Sequence, residues 1–192
     1  MPSRAGDHNG AYRNTKILYK MEKAKHVRPF LMLIFLLSFS ISCSTIKGDI
    51  KRNNNKTDKW VNYLVRKNGN AFYVTSTYST YSTVWSYVNN QIMIYRITSG
   101  KILKEETYAR NSNFINKLPS HKQLDKELFE KCGYELDGDF FGFKIKKDNS
   151  LIEENFSINL ECIKNGKYNL FFFSEISRDI TAFNLWEIIK YK

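Results

Sequence analysis

The stretch NNQIMIYRITSG, residues 89–100, is a short apolar run framed by two turn sequences. The run from Gln91 to Thr98 is apolar on both faces, which is typical of a central strand. Asn89-Asn90 precedes the run and Ser99-Gly100 follows it, and such pairs favour two-residue hairpin turns. The stretch therefore predicts a buried strand with an antiparallel neighbour on each side.

The same pattern recurs through residues 60–192. Apolar residues alternate with small or polar ones over 141–145 and over 156–162, which predicts two further strands. The run KYNLFFFSEI, residues 167–176, is apolar on both faces and predicts a second central strand. More turn sequences lie at Asn68-Gly69, Asp137-Gly138 and Asn165-Gly166. Together these signals predict a series of antiparallel hairpins.

One helix is predicted near residues 120–132. Ser120 and Gln123 have the spacing of a capping box at its start. Its apolar stripe consists of Leu124, Leu128 and Cys132. We therefore expect a mostly β fold, an antiparallel hairpin-rich sheet arranged as a barrel or a sandwich, with this helix inserted. The alternative is an α+β fold.

The first third of the chain carries targeting signals. Residues 30–41 are free of charge, but this apolar stretch is too short to cross a bilayer as an ordinary span. Before it stands MEKAKHVR, which opens at Met21 and has the positive charge of a signal-peptide n-region. Residues 21–42 therefore predict a signal peptide, and residues 1–20 are interpreted as an extension from a mis-called start. The alternative is a signal peptide with an unusually long n-region.

The apolar stretch ends on Ser-Ile-Ser-Cys at residues 40–43. Residues 21–45 thereby resemble the signal peptides of bacterial membrane lipoproteins, in which a small residue precedes an obligatory cysteine. The resemblance implies that the Cys43 thiol receives a diacylglyceryl group and that cleavage makes Cys43 the new N-terminus. The alternative is an ordinary signal-peptidase site, because small residues also occupy the required positions before Cys43.

The basic charge is concentrated near the N-terminus. The formal net charge of the chain is +11. Residues 60–192 contain 18 Lys and Arg against 15 Asp and Glu, so they leave little excess charge for binding a phosphate backbone. Residues 43–59 are polar and basic, and this composition predicts a flexible tether that can rest on anionic lipid headgroups. We expect a single β-rich domain over 60–192 and no nucleic-acid partner.

The chain has three cysteines, an odd number that calls for an explanation in an exported protein. If Cys43 is lipidated, Cys132 and Cys162 remain, and an oxidising compartment allows a bond between them. Both are placed on apolar faces, so they are possible disulfide partners. The alternative is two buried free thiols.

No catalytic or metal motif stands out. Residues 60–192 contain a single histidine, His121, on the predicted helix surface, without the partners that a triad or a zinc site needs. Neighbours on a strand point to opposite faces, so neither Glu105-Glu106 nor Glu153-Glu154 forms an acid–base pair. Asp137-Gly138-Asp139 is interpreted as a turn. We expect no enzyme activity, no cofactor and no metal.

The stretch STYSTYSTVWSY, residues 76–87, sets large aromatic side chains among hydroxyl residues. Aromatic residues with polar tips are favoured in recognition surfaces. The candidate ligand surface consists of Tyr78, Tyr81, Trp85 and Tyr87. The alternative is that these are ordinary strand residues.

These observations predict a small lipid-anchored protein of the bacterial cell envelope with a non-catalytic binding or structural role. Its expected partners are the membrane and an envelope protein or glycan. Ser44, rather than Asp, follows Cys43, and this pattern in lipoproteins implies the outer membrane. The alternatives are an exported hydrolase with distant carboxylates and a secreted binding protein without lipid.

Overall fold

A computed structural model describes residues 45–77, 79–133 and 139–186, with the backbone alone at residue 160. The chain divides into two compact units, Met1–Ile46 and Lys47–Lys192. Nearly all of the described residues belong to the second unit. The predicted signal peptide and Cys43 lie outside the described residues.

Six strands form one antiparallel sheet in the spatial order β4-β3-β2-β1-β5-β6. The strands are β1 (Asn70–Ser76), β2 (Tyr81–Val88), β3 (Gln91–Thr98), β4 (Lys101–Ala109), β5 (Asp139–Lys147) and β6 (Ser150–Ile158). The helices are α1 (residues 45–68), a 3-10 helix (Asn113–Lys117), α2 (His121–Cys132), α3 (Leu160–Asn165) and α4 (Phe171–Ala182).

Three of the hairpins turn on two residues that both have positive φ. Asn89 and Asn90 have φ of 50° and 58°, and Ser99 and Gly100 have φ of 44° and 80°. Positive φ at both central residues gives the turn a twist that matches the strands, and Asn and Gly tolerate it best. The turns predicted around β3 are therefore confirmed. Asp148 and Asn149 form a third such turn, which was not among the predicted ones.

The predicted inserted helix is confirmed as α2. The Gln123 side chain accepts a hydrogen bond from the Ser120 backbone N–H at 3.0 Å, as in a capping box. Leu124 and Leu128, on the inner side of α2, are fully buried. The helix ends at Gly133, whose φ of 66° is one that glycine adopts without steric cost.

The sheet is covered on both faces. Residues 61, 64 and 65 of α1 pack on one face, against Ala71, Val84 and Ile97. The other face carries the larger core, an aromatic cluster covered by α2, α3, α4 and the 3-10 helix. At its centre Phe72 stacks on Trp85 with ring centroids 5.8 Å apart. α4 contributes Phe172 and Ile176, which are buried here.

The antiparallel hairpin-rich sheet is confirmed, and the α+β alternative describes the whole best. Helix makes up 43% and strand 37% of the interpretable residues. The sheet is open and single, so the expected barrel or sandwich is wrong. Helices, rather than a second sheet, bury its two faces, as is usual when helices are available to cover a sheet.

The predicted flexible tether is also wrong for the described residues 45–59, which are helical. The polar composition of this segment suggested a tether, because the residues of this half of α1 that face the sheet are small and polar. Asn53 and Thr57 are buried, and the Thr57 hydroxyl lies 2.5 Å from the Ser82 hydroxyl of β2. Hydrogen bonds to the sheet thus take the place of apolar burial.

Two predicted strand segments are helices. The run 167–176 contains the start of α4, because its apolar residues fall on one helical face and only Phe171 is largely exposed. β6 ends at Ile158, and Cys162 lies in α3 rather than on a strand. The Asn159 side chain accepts a hydrogen bond from the Glu161 backbone N–H at 2.9 Å and so caps α3. Short apolar runs fit strand and helix equally well.

Candidate functional site

The predicted aromatic ligand surface does not exist as proposed. Trp85 is 0% exposed and Tyr87 is 2% exposed, because both point into the aromatic core. Tyr81 is half-buried at the start of β2, and Tyr78 lies outside the described residues. Buried rings cannot stack on a ligand, so Trp85 and Tyr87 serve packing.

The two domain cysteines lie together. Cys132, the last residue of α2, is joined to Cys162 of α3 by a disulfide with Cα atoms 5.6 Å apart. The Tyr168 hydroxyl donates to the Cys162 carbonyl oxygen at 3.2 Å. The bond connects two helices on one face of the sheet, rather than a helix to a strand.

A buried ionic cluster ties α4 to the sheet. Arg110 follows β4, and its Nε donates to Asp179 Oδ1 at 2.5 Å while its Nη2 donates to Glu175 Oε2 at 2.7 Å. The Tyr87 hydroxyl donates to Asp179 Oδ2 at 2.6 Å and accepts from Trp85 Nε1 at 3.2 Å. Hydrogen bonds thus join Tyr87 of β2 and Arg110 to the two carboxylates of α4.

Burial sets the protonation behaviour of the cluster. It raises the pKa of Asp179, although hydrogen bonds from Arg110 and Tyr87 act in the opposite direction. Burial and the adjacent Asp179 carboxylate raise the pKa of Tyr87 well above its usual value. Tyr87 is therefore a neutral donor at physiological pH, and the cluster is a structural clamp.

A cleft of about 530 Å³ lies between β4 and the end of α4. On its wall Arg96 Nε donates to Glu106 Oε2 at 3.1 Å, and the two other Arg96 nitrogens donate to the carbonyl oxygens of Phe183 and Asn184, each at 2.7 Å. Burial opposes ionisation of Glu106, but hydrogen bonds from Lys104 and its other neighbours lower its pKa to about 2. These charges already satisfy each other.

A second depression, of about 330 Å³, lies beside α1. We call it the α1 groove. Its lining includes Asn54, Asp58, Tyr73, Thr75, Phe140 and Asn155. Its wall comes from α1, and its floor comes from β1, β5 and β6 on the face of the sheet that α1 only partly covers. Its size is at the lower end of the range for small-molecule sites.

The floor of the α1 groove is set by an aromatic ring that lies across two strands. Tyr73 of β1 pairs with Gly142 of β5, and a Cβ at residue 142 would meet the Tyr73 Cζ at 2.3 Å. The glycine therefore leaves the space that the ring occupies. Burial raises the pKa of Tyr73 to about 12, with Glu153 and Asp58 adding to the shift. Its hydroxyl remains protonated and able to donate.

The groove also holds an unused hydrogen-bonding group. Thr75 Oγ1 is buried and has no hydrogen-bond partner among the described residues. A buried hydroxyl without a partner costs roughly 1–3 kcal/mol. Around it stand side-chain amides and hydroxyls, with Phe140 and Tyr73 as apolar surfaces. The α1 groove thus combines polar atoms with ring faces, unlike the self-paired cleft beside β4.

The remaining predicted residues stand apart from the groove lining. His121 is exposed, and its Nδ1 lies 2.7 Å from Glu154 Oε2. Glu106 joins the cleft beside β4, whereas Glu153 pairs with Lys144 at 2.8 Å. Within the described residues, no group of three or more His, Cys, Asp or Glu side chains is arranged to hold a metal ion. The described helices include none long and apolar enough to cross a bilayer.

Sequence reasoning missed the α1 groove because its residues come from four elements. The local signal was weak: Gly142 is one of the alternating residues of β5, and a glycine inside a strand often marks a close approach of another group. Asn54 and Asp58 lay in the segment interpreted as a tether.

No protein-family model matches the chain, no curated protein matches its sequence, and no solved structure matches its fold.

Proposed function

We propose that the protein is a lipid-anchored protein of the bacterial cell envelope whose folded domain binds a glycan in the α1 groove without catalysis. The anchor is a diacylglyceryl group on Cys43, and the ligand is a neutral sugar unit of an envelope polysaccharide. The outer membrane is the proposed location.

The observation that carries the anchor is the pairing of the other two cysteines. Cys132 and Cys162 are bonded to each other, and a bonded cysteine has no second partner. Cys43 is therefore left without an intrachain disulfide partner, which is what a lipidated cysteine requires. A disulfide also supports export, because such bonds persist in oxidising compartments.

Because residues 45–59 are helical, the chain between the proposed anchor and the domain is shorter than a flexible tether over residues 43–59 would make it. Three residues separate Cys43 from Lys47, where the second compact unit begins. A chain covers at most about 3.6 Å per residue, so this segment spans no more than about 14 Å. The proposed anchor therefore keeps the domain close to the membrane instead of on a long tether.

The chemistry of the α1 groove favours a glycan over an apolar ligand. Sugar rings present C–H faces to aromatic side chains and hydroxyl groups to amides, carboxylates and hydroxyls. Phe140 and Tyr73 supply the ring faces, and Asn54 and Asn155 supply the polar atoms. The two-carboxylate mechanism of glycosidases needs a pair, and the described lining of this groove supplies Asp58 alone. The proposal is therefore one of binding.

Fatty-acid labelling in a bacterial host tests the anchor. We expect the wild-type protein to incorporate radioactive palmitate and Cys43→Ala to incorporate none. The double variant Cys132→Ala/Cys162→Ala is the matched control and retains the label. Labelling of Cys43→Ala at the wild-type level would refute the anchor, and recovery of wild-type protein with the inner membrane on a density gradient would refute the outer-membrane location.

Titration with chitobiose and cellobiose, followed by tyrosine and tryptophan fluorescence, tests the ligand class. We expect saturable binding that Phe140→Ala and Asn155→Ala abolish. Phe129→Ala removes a comparable ring from the exposed face of α2 and is the control. Equal binding by Phe140→Ala and the control would refute the groove as the site. Hydrolysis of either sugar during the titration would support the exported-hydrolase alternative.

A further inference from the structure

The positive charge of the described domain is concentrated on one helix. Residues 45–68, which form α1, contain seven Lys and Arg against two Asp. Residues 69–192 contain 16 Lys and Arg against 15 Asp and Glu. Residues 69–192 are thus almost neutral, so most of the net positive charge of residues 45–192 lies on this helix.

Three positively charged side chains of α1 form a row that faces away from the sheet. Arg52, Lys59 and Arg66 are exposed and seven residues apart, so they lie nearly in line along the helix. Buried residues such as Asn53 and Leu64 occupy the opposite side. The row is about 21 Å long at 1.5 Å per residue. Asp49 lies 3.4 Å from Arg52 and is the one carboxylate that contacts the row in the described part of α1.

Aromatic rings are interleaved with this row. Lys56 Nζ lies 5.4 Å from the centre of the Trp60 ring, and Lys67 Nζ lies 5.7 Å from the centre of the Tyr63 ring. The two rings are 4.9 Å apart, and Tyr63 is 38% exposed. Tryptophan and tyrosine flanked by lysine are favoured at membrane–water interfaces, because the rings prefer the headgroup region and the ammonium groups reach phosphate.

We propose that the outer face of α1, namely Arg52, Lys56, Lys59, Tyr63, Arg66 and Lys67, lies on the anionic lipid headgroups of the membrane that holds Cys43. The proposal rests on the proposed anchor, which would bring α1 to a bilayer. A cation close to an anionic surface contributes about 1 kcal/mol, a factor of about five in binding. The α1 groove opens beside the helix rather than on this outer face, so it stays accessible.

A lipid surface fits this face better than a nucleic acid. The cations follow a straight row on a convex helix, and the Trp60 ring packs against Tyr95 with 5.2 Å between centroids. Stacking of bases needs open ring faces. A flat anionic surface needs only that the charges and the ring edges lie on one side.

Lysine footprinting on vesicles tests the proposal. The full chain is reconstituted into phosphatidylcholine vesicles, or into vesicles with one quarter phosphatidylglycerol, and is acylated with an amine-reactive reagent. We expect Lys59 and Lys67 to react about fivefold or more slowly on the anionic vesicles at low salt, and protection to be lost at 0.5 M salt. Lys117 and Lys122, which are exposed on the 3-10 helix and on α2 at the opposite face of the sheet, are the internal references.

Charge reversal supplies matched variants. Arg52→Glu/Lys59→Glu/Arg66→Glu is expected to remove protection of Lys67, whereas Lys122→Glu/Lys126→Glu/Lys131→Glu, an equal change on α2, leaves it intact. Circular dichroism confirms that both variants remain folded. Equal reactivity on neutral and anionic vesicles, or equal protection of Lys122, would overturn the proposal. Stronger protection of Lys59 by duplex DNA than by anionic vesicles would overturn the assignment to lipid.

The two proposals fail separately. If Cys43→Ala still incorporates palmitate, the anchor is wrong, yet the footprint remains a valid measure of the α1 face. If labelling depends on Cys43 but the footprint is absent, the anchor stands and the docking of α1 is wrong.

Discussion

Two arginines, one buried and one exposed, contact the same carboxylate, so the stability cost of losing each can be compared. Arg110 and Arg178 both pair with Glu175 Oε2. The Arg110 side chain is 11% exposed and also holds Asp179, whose side chain is 2% exposed. The Arg178 side chain is 58% exposed. Replacing either residue with alanine removes one arginine from one cluster, so the two variants differ in burial and in the second carboxylate that Arg110 holds.

The expected costs differ severalfold. Arg110→Ala leaves Asp179 and Glu175 as buried carboxylates without their shared cation, and breaking such a pair costs about 3–5 kcal/mol. Arg178→Ala removes an exposed ion pair worth about 0–1 kcal/mol. With an m-value of about 2 kcal/mol/M, the urea midpoint falls by about 2 M for Arg110→Ala and by less than about 0.5 M for Arg178→Ala.

Urea denaturation at pH 7 measures both shifts, and a second titration at pH 5 checks the cause. Burial already raises the pKa of Asp179. Without Arg110 that pKa rises further, so protonation removes the unpaired charge and the cost of the mutation shrinks as the pH falls. Equal midpoint shifts for the two variants, or a cost for Arg110→Ala that does not change with pH, would refute the role of the buried ion pair.

Three further predictions concern stability. The Cys132–Cys162 bond spans 30 residues of sequence, so Cys132→Ser/Cys162→Ser is expected to lower the free energy of unfolding by about 3.5 kcal/mol, and mass spectrometry of envelope-derived protein should find no alkylatable thiol at either position. Because the pKa of folded Glu106 is lowered to about 2, ionised Glu106 contributes fully to the free energy of unfolding above about pH 4.5, and this contribution is lost as the pH falls to about 2. The difference in denaturation midpoint between wild type and Glu106→Gln should therefore disappear over that range. A difference that stays constant with pH would contradict the prediction. Gly142→Ala is expected to lower the free energy of unfolding by about 1–3 kcal/mol, because the new methyl group displaces the Tyr73 ring. In a double-mutant cycle, the same substitution should cost less when Tyr73 is already alanine, and purely additive costs would contradict the contact.

Several local features were readable from the sequence because their causes lie within a few residues. Asn89-Asn90 and Ser99-Gly100 tolerate positive φ, so they fix two hairpins and the strand between them. Ser120 and Gln123 begin α2 through their own hydrogen bond, and Gly133 ends it. Such signals need no knowledge of the rest of the chain.

The tertiary structure decided what depended on distant partners. In the sequence Asn53 and Thr57 are typical of a tether, but in the folded protein both are hydrogen-bonded to the Ser82 hydroxyl of β2. Tyr87 resembles a binding residue in the sequence, but in the core its hydroxyl donates a hydrogen bond to Asp179, which lies 92 positions later.

The α1 groove and the open sheet have the same origin. A period of two reveals which residues share a face of a strand, but it does not reveal what covers that face. Here α1 covers part of one face, and β5 and β6 beside it leave room for the groove that includes Tyr73 and Phe140. The sequence by itself determined strands, turns and one helix because backbone preferences act locally. Burial and pairing join residues far apart in the chain, so only the folded structure decided which side chains form the core and which form the site.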